Sequence, residues 1–283
     1  MSIFDTFEKK HEYLVCVDSD GCVMDTMNCK HFHCFGPCMV EQWHLAPWQD
    51  AILRRWNEIN LFSMTRGINR FKGLAMALQE IDTQCKKIPG IAALVHWANT
   101  APALSNDALA KAIEEATDGE AKQILTQALA WSKAVNAAIV ALDEALKVPY
   151  DGASEGLAAA HRFADVAMVS SANRDAVEEE WGKFGLLTHT DIVLAQDIGS
   201  KAACIAEMLK FGYDPEKVLM IGDAPGDRDA AMKNGVHYFP ILVNHERESW
   251  DEAVSVAFAK LQEGQYAPYG AEKEQQFLQN LGG

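Results

Sequence analysis

The chain has 283 residues, 49% apolar and 23% charged, the composition of a globular protein with ample core. Asp and Glu number 40 against 25 Lys and Arg, and no basic run offsets the net charge of −15, so neither nucleic acid nor an anionic membrane is an expected partner. No stretch reaches the roughly 20 apolar residues that span a bilayer, and the seven cysteines include no CxxC pair that would signal a zinc ribbon.

The N-terminal stretch MSIFDTFEKKHEYL is charged and lacks the apolar segment of a secretory leader, so the expected location is cytoplasmic. The first element is the apolar run YLVCV, which ends against Asp18-Ser19-Asp20-Gly21. A turn accounts for Asp20-Gly21. It does not account for Asp18, a carboxylate directly at the end of a strand patterned for burial on both faces.

From about residue 25 to 153 the pattern is helical, with helices expected near 39–59, 67–82, 89–98, 105–116 and 119–147. Trp43, Trp48 and Trp56 read as core of this region. From about 155 to 243 short apolar runs alternate with amphipathic segments. The runs are DVAMVS (165–170), DIVLAQ (191–196), KVLMIG (217–222) and VHYFPI (236–241), and the helices between them close on Gly185, Gly212 and Gly235. Strands alternating with helices of this length imply a parallel sheet with helices on both faces. The expected fold is α/β, with a Rossmann-like parallel sheet core and an inserted all-helical domain. The expected domains are 1–24 plus 154–245 for the core, 25–153 for the insertion, and 246–283 for a helical C-terminal extension.

Ligands of parallel α/β sheets sit beyond the carboxyl ends of the strands. The residues at those ends are Asp18 and Asp20, then Ser170 and Ser171, then Asp223 with Asp227, while Lys201 opens the helix after the third run. Four carboxylates in a small space repel one another unless a cation neutralises them, and hard oxygen ligands favour Mg²⁺.

In these residues the chain resembles the haloacid dehalogenase-like hydrolases, a superfamily dominated by phosphatases. VCVDSDG fits the first motif, VAMVSS the second, Lys201 the third and VLMIGDAPGDRDAAMKNG the fourth, in the expected order. The helical insertion falls where one class of the family carries a mobile cap. The resemblance implies Asp18 as nucleophile, Asp20 as acid and base, Ser170 as a phosphoryl hydrogen-bond donor and Lys201 as the charge partner of Asp18. It implies Mg²⁺ held by Asp18, the Asp20 main-chain carbonyl and Asp223, with Asp227 supporting the metal or Lys201. Gly21 and Ser171 would border the phosphoryl group, and Arg66, Arg70 and Lys30 of the cap would meet the rest of a small phosphate ester. Retention of Asp20 favours ester hydrolysis over dehalogenation. A phosphomutase or a phosphonate-cleaving enzyme of the same superfamily stays open, as does a binding protein that keeps the fold, and either a monomer or a homodimer is compatible.

Two other patterns carry less. GASEG (152–156) matches G-x-S-x-G but lacks the preceding strand of a nucleophile elbow, so Ser154 reads as a helix N-cap. CKHFHCFGPC (29–38) gathers Cys29, His31, His33, Cys34 and Cys38 at a spacing that matches no common zinc site. An aromatic wall or plain packing is the simpler expectation there.

Overall fold

The computed structural model describes residues 3–283; the first two residues of the charged N-terminal stretch lie outside it. The apolar runs form a five-stranded, all-parallel sheet of β1 (Tyr13–Val17), β2 (Ala164–Val169), β3 (Ile192–Leu194), β4 (Val218–Gly222) and β5 (His237–Pro240). Strands covered on both faces need no polar alternation, and every residue of β2 and β4 is buried. The strand order is β3-β2-β1-β4-β5. The chain therefore winds outward from β1 to β3, then crosses back for β4 and β5, leaving a topological switch point between β1 and β4. Val17 pairs with Met168 on one side and Ile221 on the other, so the three central strands end level.

The chain forms two compact units, one reaching Met27 and resuming at Ala145–Gly283, the other Asn28–Glu144. The second is helical. Its elements are α1 (Thr26–Lys30, which leads into it), a π-helical turn His31–Phe35, α2 (Gly36–Gln42), α3 (Gln49–Leu61), α4 (Arg70–Gln84), α5 (Ile91–Thr100), α6 (Asn106–Glu115) and α7 (Gly119–Val140). The single helix expected over 39–59 is broken between α2 and α3. His44 takes a left-handed φ of 52°, and Pro47 follows with no N–H to donate. The last helix of this unit stops at Val140, short of the 147 expected, so Leu142 and Leu146 lie beyond it. Trp43 and Trp56 are buried, but Trp48 sits in the break and is 38% exposed, which removes it from the expected core. Trp56 and Trp131 pack edge to face at 6.0 Å, and the Trp131 indole N–H donates to the Phe35 carbonyl. Those rings anchor this unit.

Around the sheet lie α8 (Ala153–Ala160), α9 (Arg174–Lys183), α10 (Lys201–Leu209) and α11 (Pro225–Asn234). Gly152, at a φ of 87°, is the N-cap of α8, and Ser154 falls inside the first turn rather than capping it. The C-terminal segment forms α12 (Glu246–Glu252), a π-helical turn Ala253–Ala257, α13 (Phe258–Gln262) and α14 (Tyr266–Asn280). Its Trp250, Phe258, Leu261 and Tyr266 join the same core cluster as β1, β2 and β4, and the Tyr266 hydroxyl donates to the Tyr238 carbonyl at 2.9 Å. The polar-looking extension thus lies in the same unit as the sheet. At the amino end of the sheet, buried Asp165 accepts the main-chain N–H groups of Lys10 and His11 and the Tyr213 hydroxyl, tying down the N-terminal segment.

Candidate active site at the carboxyl edge of the sheet

The ladder runs one residue past β1, where the Asp18 N–H donates to the Ile221 carbonyl at 3.0 Å. This holds Asp18 at the end of the central strand, beside the switch point, only 4% exposed. The chain then closes on itself. The Ser19 carbonyl accepts the N–H groups of Cys22, Val23 and Met24, and the Gly21 N–H donates to the Met24 carbonyl at 2.8 Å. Gly21 has a φ of 89°, a conformation that glycine adopts without steric cost. The same turn carries Asp20, half-buried, whose Oδ1 accepts a hydrogen bond from the Thr26 hydroxyl.

Lys201 opens α10 behind the Ser200 cap, and its Nζ reaches two carboxylates, Asp18 Oδ1 at 2.8 Å and Asp227 Oδ1 at 2.6 Å. The other oxygen of Asp227 accepts the Ala224 N–H at 3.0 Å, so that side chain folds back over β4. A Cβ on Gly222 would lie 2.5 Å from it, which is why glycine ends this strand. Asp223 follows, fully buried. Ser170 continues β2, its N–H donating to the Leu194 carbonyl and its Oγ accepting the Ala172 N–H. Ser171 beside it is exposed.

Burial pushes the Asp18 carboxyl well above its ordinary range, the Lys201 ammonium pulls it back, and the neighbouring Asp227 and Asp223 carboxylates push it up further. Burial also works against the charge on Lys201, but Asp18 and Asp227 outweigh it and hold the ammonium above its ordinary value. Asp18, Asp223 and Asp227 each offer an oxygen within 4.8 Å of the others. Three buried carboxylates beside one ammonium leave net negative charge in a low-dielectric space. Hard oxygen donors in that state fit a small divalent cation such as Mg²⁺. Among the described residues, the Cys/His-rich segment forms no comparable group.

The remaining candidates belong to the helical unit. Lys30 ends α1, half-buried. Arg66 is buried and donates to the Leu61 carbonyl at 2.8 Å. Arg70 donates to Ser132 and to Asn136 Oδ1 and lies over the Phe35 ring at 5.0 Å. Arg70 thereby joins α4 to α7, whereas the Arg66 bond to Leu61 is local to the turn between α3 and α4. His31 accepts the Trp56 indole N–H at its Nδ1 and stacks on Phe35 at 4.6 Å, while Cys29 and Cys34 are buried.

Several residues around Asp18 carry no sequence signal. Thr26 holds Asp20, the Trp181 indole N–H donates to Ser19 Oγ at 2.9 Å, the Trp250 indole N–H donates to the Cys22 carbonyl at 3.1 Å, and the Tyr238 hydroxyl donates to the Gly222 carbonyl at 3.0 Å. Only Thr26 lies near its partner in the chain.

The model of the haloacid dehalogenase-like hydrolase family matches residues 91–241, just over half of the chain, a span that includes Ser170, Lys201, Asp223 and Asp227 but begins after Asp18. No curated protein matches the chain. A protein provisionally named phosphoglycolate phosphatase from Lactobacillus delbrueckii subsp. bulgaricus is 12% identical, with a TM-score of 0.51, over 81% of this chain and 85% of that one. A haloacid dehalogenase-like family hydrolase from Xanthomonas campestris is 14% identical, with a TM-score of 0.49, over 92% of this chain and 98% of that one. A hydrolase of the same superfamily from Geobacter sulfurreducens is 16% identical, with a TM-score of 0.40, over 83% of this chain and 90% of that one. At these identities the likeness concerns the fold alone. Four motif segments meet at one edge of a parallel sheet whose later strands the family model matches, and the chain belongs to the haloacid dehalogenase-like hydrolases.

Proposed function

We propose that the protein is a Mg²⁺-dependent phosphomonoester hydrolase that works through an aspartyl-phosphate on Asp18. The observation that carries the reading is the contact of Lys201 Nζ with Asp18 Oδ1 at 2.8 Å, beside Asp223 and Asp227 at a switch-point edge. A buried carboxylate with one oxygen held by an ammonium presents the other as a fixed nucleophile. Phosphoryl transfer needs mainly positioning and charge stabilisation, and both are present in this group.

Asp18 attacks phosphorus and the ester P–O bond breaks. The departing alkoxide takes a proton from Asp20, which Thr26 holds in place. In the second step Asp20 removes a proton from water as the water attacks the phosphorus, freeing inorganic phosphate and Asp18. Ser170 donates to a phosphoryl oxygen, and Lys201 balances charge on Asp18 and on the transferring group. Mg²⁺, when bound by Asp18, Asp223 and the Asp20 carbonyl, supplies positive charge to the same phosphoryl oxygens. Asp227 holds Lys201 at 2.6 Å. Asp20 supports an ester rather than a halide as leaving group, because only the alkoxide needs a proton. The substrate class is a small phosphorylated metabolite.

The test is release of inorganic phosphate from p-nitrophenyl phosphate and from sugar, nucleotide and small-acid phosphates, with Mg²⁺, with EDTA and with Asp18→Asn. Turnover that needs the metal and vanishes in the variant is expected. Turnover indifferent to Asp18, or none on any ester, overturns the reading.

A further inference from the structure

Side chains alternate along an extended segment, so the residue between Asp18 and Asp20 points away from both carboxylates and into the protein. That residue is Ser19, fully buried, and its neighbour there is Trp181, also fully buried, in the last turn of α9. The Trp181 indole N–H donates to Ser19 Oγ at 2.9 Å. Neither polar group suits an apolar core alone, since an unpartnered hydroxyl or indole N–H there is costly, whereas an apolar side chain carries no such polar cost. The bond therefore does something that packing does not.

Its place in the turn indicates what. Ser19 is the node of the loop, because its carbonyl already collects the N–H groups of Cys22, Val23 and Met24. Rotation at Ser19 would swing Asp18 away from Lys201 and Asp20 away from Thr26 together. The helix that holds Ser19 begins just after Ser170 and its loop, with Asn173 as N-cap. One rigid element thus fixes both the nucleophile turn and the serine loop.

We propose that Trp181 is a positioning residue, whose indole N–H acts through Ser19 to set the orientation of Asp18 and Asp20 relative to Ser170. The kinetic consequence rests on the phosphatase reading above; the effect on the loop does not.

The experiment compares Ser19→Ala, Trp181→Phe and the double variant by thermal melting, by hydrogen exchange of residues 18–24 and by steady-state kinetics on p-nitrophenyl phosphate. Each single variant strands one buried polar group, so each is expected to melt earlier. The double variant strands neither group, so relative to Trp181→Phe it is expected to regain the part of the loss that comes from an unpartnered hydroxyl, while the cost of the smaller ring stays. Positioning requires that kcat stay about tenfold low in all three with KM little changed, the size of effect one lost bond of this kind supports. It also requires that exchange in the loop stay fast in the double variant even though it melts later than Trp181→Phe. If loop exchange and kcat return to wild-type values in the double variant, or do not change in the single variants, the bond is structural only and the proposal is overturned. If the wild-type protein hydrolyses no ester, the phosphatase reading fails, and loop exchange alone decides the role of Trp181.

Discussion

Lys201 Nζ lies 2.6 Å from Asp227 Oδ1 and shares its charge with Asp18, so one ammonium is held between a nucleophile and a carboxylate that is itself tied to the start of α11. Asp227 thereby determines where the charge of Lys201 falls. Removing the charge with Lys201→Ala is expected to lower kcat on the order of 10²- to 10³-fold, the effect of losing one aimed electrostatic group. Asp227→Asn is expected to give a smaller fall in kcat and an earlier melt, since the buried ammonium then keeps a single full ion pair. Steady-state kinetics with melting curves on both variants check this; Asp227→Asn lowering kcat more than Lys201→Ala would contradict it.

Trp250 reaches the Cys22 carbonyl past two glycines, Gly156 against its ring and Gly152 against its Cβ. A Cβ at Gly156 would fall inside the indole, and one at Gly152 would lie 3.1 Å from Trp250 Cβ. Gly156 has ordinary helical geometry in α8, so only close approach requires glycine there. Gly156→Ala is expected to destabilise the protein by about 1–3 kcal/mol through overpacking. Urea denaturation measures it, and an unchanged midpoint would show that the C-terminal segment can shift away freely.

Asp191 has a lowered pKa. Burial favours its neutral form, but the Lys10 ammonium at 2.8 Å, the Val166 N–H and His161 outweigh that and hold the carboxyl below its ordinary value of 3.8. A group lowered on folding contributes stability that is fully present above its unfolded value. That stability is lost as pH falls from about there through the folded value. Asp191→Asn should therefore lower the melting temperature at neutral pH and narrow its gap to wild type at strongly acid pH. A constant gap across that range would refute the linkage.

Cysteine reactivity should follow burial. Burial, then the negative charge of nearby Asp197, push the Cys204 thiol up to about 11, and burial pushes Cys16 and Cys22 up as well. Cys38 and Cys85 are the half-buried thiols. At mildly alkaline pH a thiol reagent is expected to modify those two in the native protein and the remainder only in denaturant. Mass mapping of the modified peptides reads the order. Labelling of Cys22 or Cys204 at the rate of Cys38 would mean that the core opens locally.

The sheet was legible because its strands are apolar on both faces, and that pattern is written in runs of neighbouring residues. The break between α2 and α3 was less so. Trp43, Trp48 and Trp56 all have the composition of core, but the break made by His44 and Pro47 leaves Trp48 exposed. Arg66 and Arg70 read as ligands for an anion because they are basic and close together. The structure adds that Arg70 also reaches Ser132 and Asn136 of α7, a contact decided by where α4 meets α7.

Sequence alone determined the alternation of strands and helices, the acidic character of the strand ends and the order of the four motifs, since each depends on residues within a few positions of one another. Tertiary structure alone decided that Lys201 touches Asp18 across 183 residues, that Trp181 reaches Ser19 across 162 and that Trp250 reaches Cys22 across 228. Those distances depend on which strands lie side by side and how deeply each helix packs. They are consequences of burying the whole core at once, and no local pattern encodes them.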